Sequence, residues 1–98
     1  MSVYMLVEAR TKNLEKYRQY ISQVSGLVAQ YGGRYLVRGG KITPMGDVWK
    51  PERIIILEFP SEANIRAWLS SPEYKAIAPL REAGAETHAV LLEGYDAV

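Results

Sequence analysis

His88 is the one histidine of the sequence, and Glu8, Arg38, Arg53 and Glu58 are charged residues set inside otherwise apolar, β-prone runs. A carboxylate close to an imidazole raises its pKa and makes a proton-transfer group, so His88 and Glu8 are the catalytic candidates. An arginine beside such a pair can hold an anionic or enolic oxygen, which is the role open to Arg38 and Arg53. Trp49 stands in a loop rich in glycine and proline, where an indole needs burial against a ligand or against a second subunit. Tyr4 completes the ligand-binding set of Arg38, Trp49, Arg53 and Tyr4.

Each of these residues also has a structural role open to it. Glu8–Arg38 and Glu58–Arg34 can be cross-strand ion pairs that satisfy one another. His88 can be a rim histidine in contact with water. Tyr17, Tyr20 and Tyr31 recur at helical spacing and read as packing, as does Trp68. Cysteine is absent, which removes disulfides, iron–sulfur clusters, thiolate zinc sites and cysteine nucleophiles. One histidine leaves a multi-histidine metal site to several chains, so neither metal nor cofactor is expected. Gly39-Gly40 has no Gly-x-Gly-x-x-Gly context and no following helix to receive a phosphate. No Gly-x-Ser-x-Gly elbow supports Ser/His/Asp catalysis.

The elements that must position these groups follow from periodicity. Val3 to Arg10 alternates as a first strand. Thr11 or Asn13 can cap a helix whose stripe is Leu14, Tyr17, Ile21, Val24, Val28 and Tyr31, and Gly32-Gly33 stops it. Arg34 to Arg38 is a short second strand. Lys41 to Glu52 is a loop long enough to be functional or mobile. Arg53 to Phe59, apolar except for its first residue and Glu58, is a third strand buried on both faces. Ser61 caps a helix with Ile65, Trp68 and Leu69 inside. Ser71-Pro72 starts another helical stretch, which Pro79 should shorten or bend. Thr87 to Gly94 is the fourth strand. The whole, residues 1–98, reads as a single α+β domain of ferredoxin-like β-α-β-β-α-β order, with a four-stranded antiparallel sheet and both crossovers right-handed.

That order leaves one sheet face without helices. Alternation puts Met5, Val37, Leu57 and Leu91 toward the helices and Tyr4, Leu6, Leu36, Ile54, Ile56, Val90 and Leu92 toward the open side. A patch of this size signals an interface, and a second copy related by a two-fold axis is the economical cover. A homodimer, a dimeric α/β barrel, is therefore expected. Strand direction then brings Glu8, Arg38 and His88 to one end of the sheet, with the Trp49 loop as a lid and Arg53 starting strand three there. Glu58, Tyr4 and Arg34 fall at the opposite end.

Composition narrows the partners. Lys plus Arg is 12 against 11 for Asp plus Glu, too even a balance for a nucleic-acid binder that works through many phosphate contacts. No RNP-like aromatic pattern marks strand three as an RNA platform. No apolar run approaches a membrane span. The first residues lack a basic start and a long apolar stretch, so no signal peptide is expected and a cytoplasmic location fits. A haem role would rest on His88 alone.

Four blocks carry a resemblance: Tyr31-Gly32-Gly33-Arg34-Tyr35-Leu36-Val37-Arg38-Gly39-Gly40; Trp49-Lys50-Pro51-Glu52-Arg53; Leu57-Glu58-Phe59-Pro60-Ser61; and Trp68 with Ser71-Pro72-Glu73-Tyr74. In order and spacing they resemble the bacterial family known as domain of unknown function 1330, over nearly the whole chain. That family is similar in fold to the dimeric α/β-barrel superfamily, which implies the same dimer. The superfamily holds cofactor-free monooxygenases, isomerases, haem-degrading enzymes and effector-binding domains, and fold alone does not choose among them. The resemblance points to Arg34, Arg38, Trp49, Arg53, Glu58, Trp68 and Tyr74, and leaves His88 outside its blocks. Two functions stay open. One is a small-molecule-binding, cofactor-independent enzyme of monooxygenase or isomerase kind, whose small, partly aromatic or apolar ligand turns an acidic or enolic oxygen to Arg38 or Arg53. The other is a non-catalytic dimerisation or effector-binding module.

Overall fold

The computed structural model describes residues 2–95. Its elements are β1 (Val3–Thr11), α1 (Leu14–Gln30), β2 (Arg34–Arg38), β3 (Arg53–Phe59), α2 (Glu62–Ser70), α3 (Pro72–Gly84) and β4 (Ala85–Glu93). The four strands form one sheet in the order β2-β3-β1-β4 with every neighbour antiparallel. This is the ferredoxin-like α+β arrangement expected from the periodicity.

Local chemistry sets the boundaries. Asn13 caps α1 by accepting from the Lys16 N–H, and Gly32 turns the chain at φ 85° after its end. Ser61 caps α2 by accepting from the Asn64 N–H, and Ser71 caps α3 by accepting from the Tyr74 N–H with Pro72 in the first turn. Pro79 neither stops nor shortens α3, which runs 13 residues. The missing N–H removes one helical bond there, and burial of Tyr74 and Ile77 holds the remaining turns in place.

The helices cover one face. Ala9, Ile55, Leu57 and Phe59 of the strands pack with Val24, Val28, Ile65, Trp68 and Ile77 of the helices in one core. At the far end of α3 the Gly84 carbonyl accepts from the N–H groups of Lys12 and Asn13 at 2.8 and 3.0 Å. This tie fixes the start of α1 against the end of α3.

A β-bulge interrupts β2. Tyr35 stands opposite Leu57, Val37 opposite Ile56 and Arg38 opposite Ile55, so two residues of β2 share one step of β3. Side chains opposite one another share a face. The bulge therefore turns Val37 to the open face, correcting its expected helix-facing position, and turns Arg38 under the helices. Leu91 stands opposite Met5 on the helix side, yet it is exposed. Leu36, Val90 and Leu92 are exposed at 44%, 53% and 46%, so the open face is apolar, as the alternation of β1, β3 and β4 requires. No helix among the described residues is long and apolar enough to cross a membrane.

Candidate functional site

Between the sheet and the helices lies a cavity of about 70 Å³ that is partly open to solvent. Its floor is sheet: Met5, Val7, Ile55, Leu57 and Ala89. Its walls are aromatic, because three helices turn rings to the same place. Tyr17, Tyr20 and Val24 recur along one stripe of α1. Trp68 comes from α2, and Tyr74 from the first turn of α3. Trp68 lies edge-on to Tyr74 at 5.0 Å and stacks on Phe59 at 5.5 Å, while Tyr20 stands edge-on to Tyr74 at 6.2 Å. These offset and edge geometries are the favoured ones for aromatic pairs.

Three arginines reach this space, and its lining holds no carboxylate and no imidazole. Arg81 follows Tyr74 by seven residues, two helical turns, and so shares its side of α3. Its Nη1 donates to the Tyr74 hydroxyl at 3.2 Å, and that hydroxyl lies 3.0 Å from the hydroxyl of Tyr20. Burial first, then the neighbouring Tyr74, pushes the Tyr20 hydroxyl far above its ordinary pKa, so it stays protonated. Arg53 lies over the Tyr17 ring at 5.7 Å. Arg38 lies over the Tyr35 ring at 4.5 Å and donates to the Ile21 carbonyl at 3.2 Å and to Ser25 Oγ at 2.5 Å. Arg38 is exposed, which puts it at the mouth, strapping β2 to α1.

Among the described residues, three buried side-chain donors have no acceptor: Arg53 Nε, Trp68 Nε1 and Arg81 Nε. All three belong to residues that line this cavity. A buried donor left unpaired costs about 1–3 kcal/mol, so such groups are rare away from functional sites. The cavity is under half the ~150 Å³ of an apolar cavity that admits benzene. A ligand of ring size therefore needs the mouth, where Arg38 stands, to widen.

The polar residues singled out by spacing are divided between the two faces. Arg38 and Arg53 line the cavity, but Glu8, His88, Trp49 and Tyr4 do not. Ala9 is fully buried on the helix side, so alternation puts its neighbour Glu8 on the open face, with His88 directly opposite. The expected convergence of Glu8, Arg38 and His88 does not form, because the bulge moves Arg38 through the sheet. Glu8 accepts from Trp49 Nε1 at 3.1 Å, and His88 Nε2 lies 3.2 Å from Glu86 Oε1. Trp49 thus folds its loop onto the open-face side, where a second hollow is lined by Pro44, Val48, Trp49 and Ile54. It is no lid for the aromatic cavity.

At the opposite end, Arg34 Nε donates to Glu58 Oε1 at 2.6 Å and the Tyr4 hydroxyl donates to Glu58 Oε2 at 3.1 Å. This is the expected cross-strand pair with Tyr4 added. The Arg34 hydrogen bond is the leading cause that holds the Glu58 carboxyl below its ordinary pKa, and the bond to Glu58 raises that of Tyr4.

Spacing alone missed Tyr20 and Arg81 as site residues and assigned Trp68 to the core. Trp68 is indeed only 3% exposed. The signals were present: an indole N–H that must be satisfied when buried, and a Tyr–Arg pair seven apart on one helix.

A four-stranded antiparallel sheet in this order, roofed on one face by helices with an aromatic, arginine-bearing pocket beneath, defines a ferredoxin-like α+β domain. Within that class the chain belongs to the domain of unknown function family DUF1330, matched over residues 2–95. No functionally curated protein matches the sequence significantly. Among solved structures it is similar to RPA0582, a protein of unknown function from Rhodopseudomonas palustris, at TM-score 0.81 and 18% identity, covering 98% of this chain and 84% of that one. It is similar to a dimeric ferredoxin-like protein of unknown function from Jannaschia at TM-score 0.72 and 15% identity, covering 96% and 100%. It is also similar to SnoaB, a cofactor-independent oxygenase from Streptomyces nogalater, at TM-score 0.67 and 11% identity, covering 99% and 96%. At these identities the likeness is one of fold.

Proposed function

We propose that the chain forms a homodimer through its open sheet face and that each subunit binds a small organic molecule in the aromatic cavity under the helices. The observation that carries the binding reading is the set of buried donors, Arg53 Nε, Trp68 Nε1 and Arg81 Nε, gathered on one cavity. Their shared need for an acceptor gives the cavity a ligand-binding character that packing does not explain. The dimer is supported by the exposed apolar side chains of Leu36, Val90 and Leu92 and by the dimeric state of the similar Jannaschia protein.

The lining favours holding a ligand over abstracting a proton from it. His88 and Glu8, the proton-transfer candidates, stand on the other face, and Tyr20 is kept protonated. This supports the effector-binding reading. An enzyme of the SnoaB kind, a cofactor-independent oxygenase, would have to draw its chemistry here from arginine and tyrosine donors.

The two tryptophans make the test direct. In a 15N–1H spectrum they give two indole N–H signals, and Trp68→Phe assigns them. Titration with a library of small organic molecules should move the Trp68 signal and leave that of Trp49. Hits that move Trp49 alone would put binding on the open-face side, and a library that moves neither would leave a structural module.

A further inference from the structure

Building on the binding reading, we infer that the ligand is an organic anion of single-ring size at most, with its carboxylate, enolate or phenolate oxygen seated between Arg53, Arg81 and the Trp68 indole N–H. Three features point the same way. The three unpaired buried atoms are all donors, so the missing partner is an acceptor. Two of the three belong to guanidiniums, and a donor that carries charge prefers an anionic acceptor. No acidic side chain lines the cavity to neutralise them. The nearest carboxylate to Arg81 is Glu82 at 3.6 Å, which is exposed and outside the lining, so it leaves Arg81 Nε free.

The remaining walls limit what is attached to that oxygen. Tyr17, Tyr20, Trp68 and Tyr74 present ring faces and edges, and the floor is aliphatic. They suit a short alkyl or single planar group. The volume of about 70 Å³ takes a short-chain acid as it stands and a single ring only with the mouth widened. A cation or a neutral donor-rich molecule would leave the three buried donors unpaired. Tyr74 already serves as acceptor to Arg81.

The experiment compares acids with amides of the same shape: acetate with acetamide, propionate with propionamide, benzoate with benzamide. Binding is read from the Trp68 indole signal and from calorimetry. The anion of at least one pair should bind about tenfold or more tighter than its amide, the factor carried by one charge-assisted hydrogen bond. Arg81→Gln and Arg53→Gln, each checked for an unchanged melting profile, should bring that acid and amide to within about twofold. Lys12→Gln removes a surface charge of the same sign and should keep the preference. Equal binding of acids and amides would overturn the anion and leave the binding reading standing. If neither set moves the Trp68 signal while other members of the library do, the anion falls and the binding reading stands; if nothing in the library moves it, both fall. A preference that survives in both arginine variants would also overturn the assignment.

Discussion

Arg53 rests its guanidinium against Gly39, in the space where a β-carbon would stand: Cβ built on Gly39 would come within 2.5 Å of Arg53 Cζ. Gly39 also has a φ of 71°, a left-handed conformation that costs an L side chain roughly 1–2 kcal/mol. Gly39, just past β2, thus leaves the room that the arginine opening β3 occupies beside the cavity. Gly39→Ala should lower stability by about that amount and move Arg53 off its place, weakening any ligand that depends on it. Gly40, with nothing within 4 Å of its built Cβ, is the comparison. Gly40→Ala should fall within about 0.5 kcal/mol of wild type. Denaturant unfolding of both variants, with the Trp68 titration, checks the pair.

The open face makes its own prediction. Ile56 sits on it opposite Val37 and opposite Leu6, and burial there contributes roughly 25 cal/mol per Å² of apolar surface. Ile56→Lys puts a charge at the centre of the proposed subunit contact and should yield a folded monomer where wild type is a dimer. Native mass spectrometry and sedimentation at micromolar concentration measure it. Wild-type protein that runs as a stable monomer would remove the pairing.

Much of the architecture was legible from period alone, because β1, β3 and α1 carry uninterrupted patterns. The candidate site was legible only in part, and the reason is local. Alternation assumes an unbroken ladder, and the bulge between Tyr35 and Val37 breaks it. Nothing in Tyr35-Leu36-Val37-Arg38 announces that break, since all four residues suit a strand. One inserted residue sent Arg38 to the helix side, away from Glu8 and His88. Arg53 was found because it opens β3. Helical spacing after Tyr74 and Ile77 leaves Leu80 and Arg81 as alternatives for the inner stripe of α3, and only the packing of α3 against α1 shows Arg81 at the cavity.

Stability in acid should depend on the pair at the other end of the sheet. Arg34 holds the Glu58 carboxyl below its ordinary pKa of 4.5. A group whose pKa is depressed on folding stabilises the fold above its unfolded pKa, and that contribution is lost as pH falls through the folded one. Unfolding free energy should therefore drop as pH is lowered from about 5, through and below the 4.5 of the unfolded carboxyl. Glu58→Gln should flatten that part of the profile and leave the neutral region above it less stable than wild type. Melting temperatures across pH 3 to about 7 test the sign. A variant with the wild-type acid slope would assign the slope to other carboxylates.

The hydroxyl of Tyr74 joins two of the three helices that wall the cavity, since it lies 3.0 Å from that of Tyr20 on α1 and accepts from Arg81 on its own helix. The two tyrosines are therefore not equivalent. Tyr20→Phe removes one hydroxyl and leaves Tyr74 to receive Arg81, so the loss should be about 1 kcal/mol, that of a single hydrogen bond. Tyr74→Phe strips Arg81 Nη1 of its acceptor as well and strands the Tyr20 hydroxyl, both in partly buried surroundings. It should cost about 1–3 kcal/mol, the penalty of unpaired polar groups. The double variant settles whether they act as a unit. If they do, its cost should fall below the sum of the single ones, because Tyr20→Phe removes the very group that Tyr74→Phe leaves stranded. Strict additivity in chemical denaturation would mean that the two hydroxyls contribute independently, and the cavity wall would then owe its position to ring packing alone.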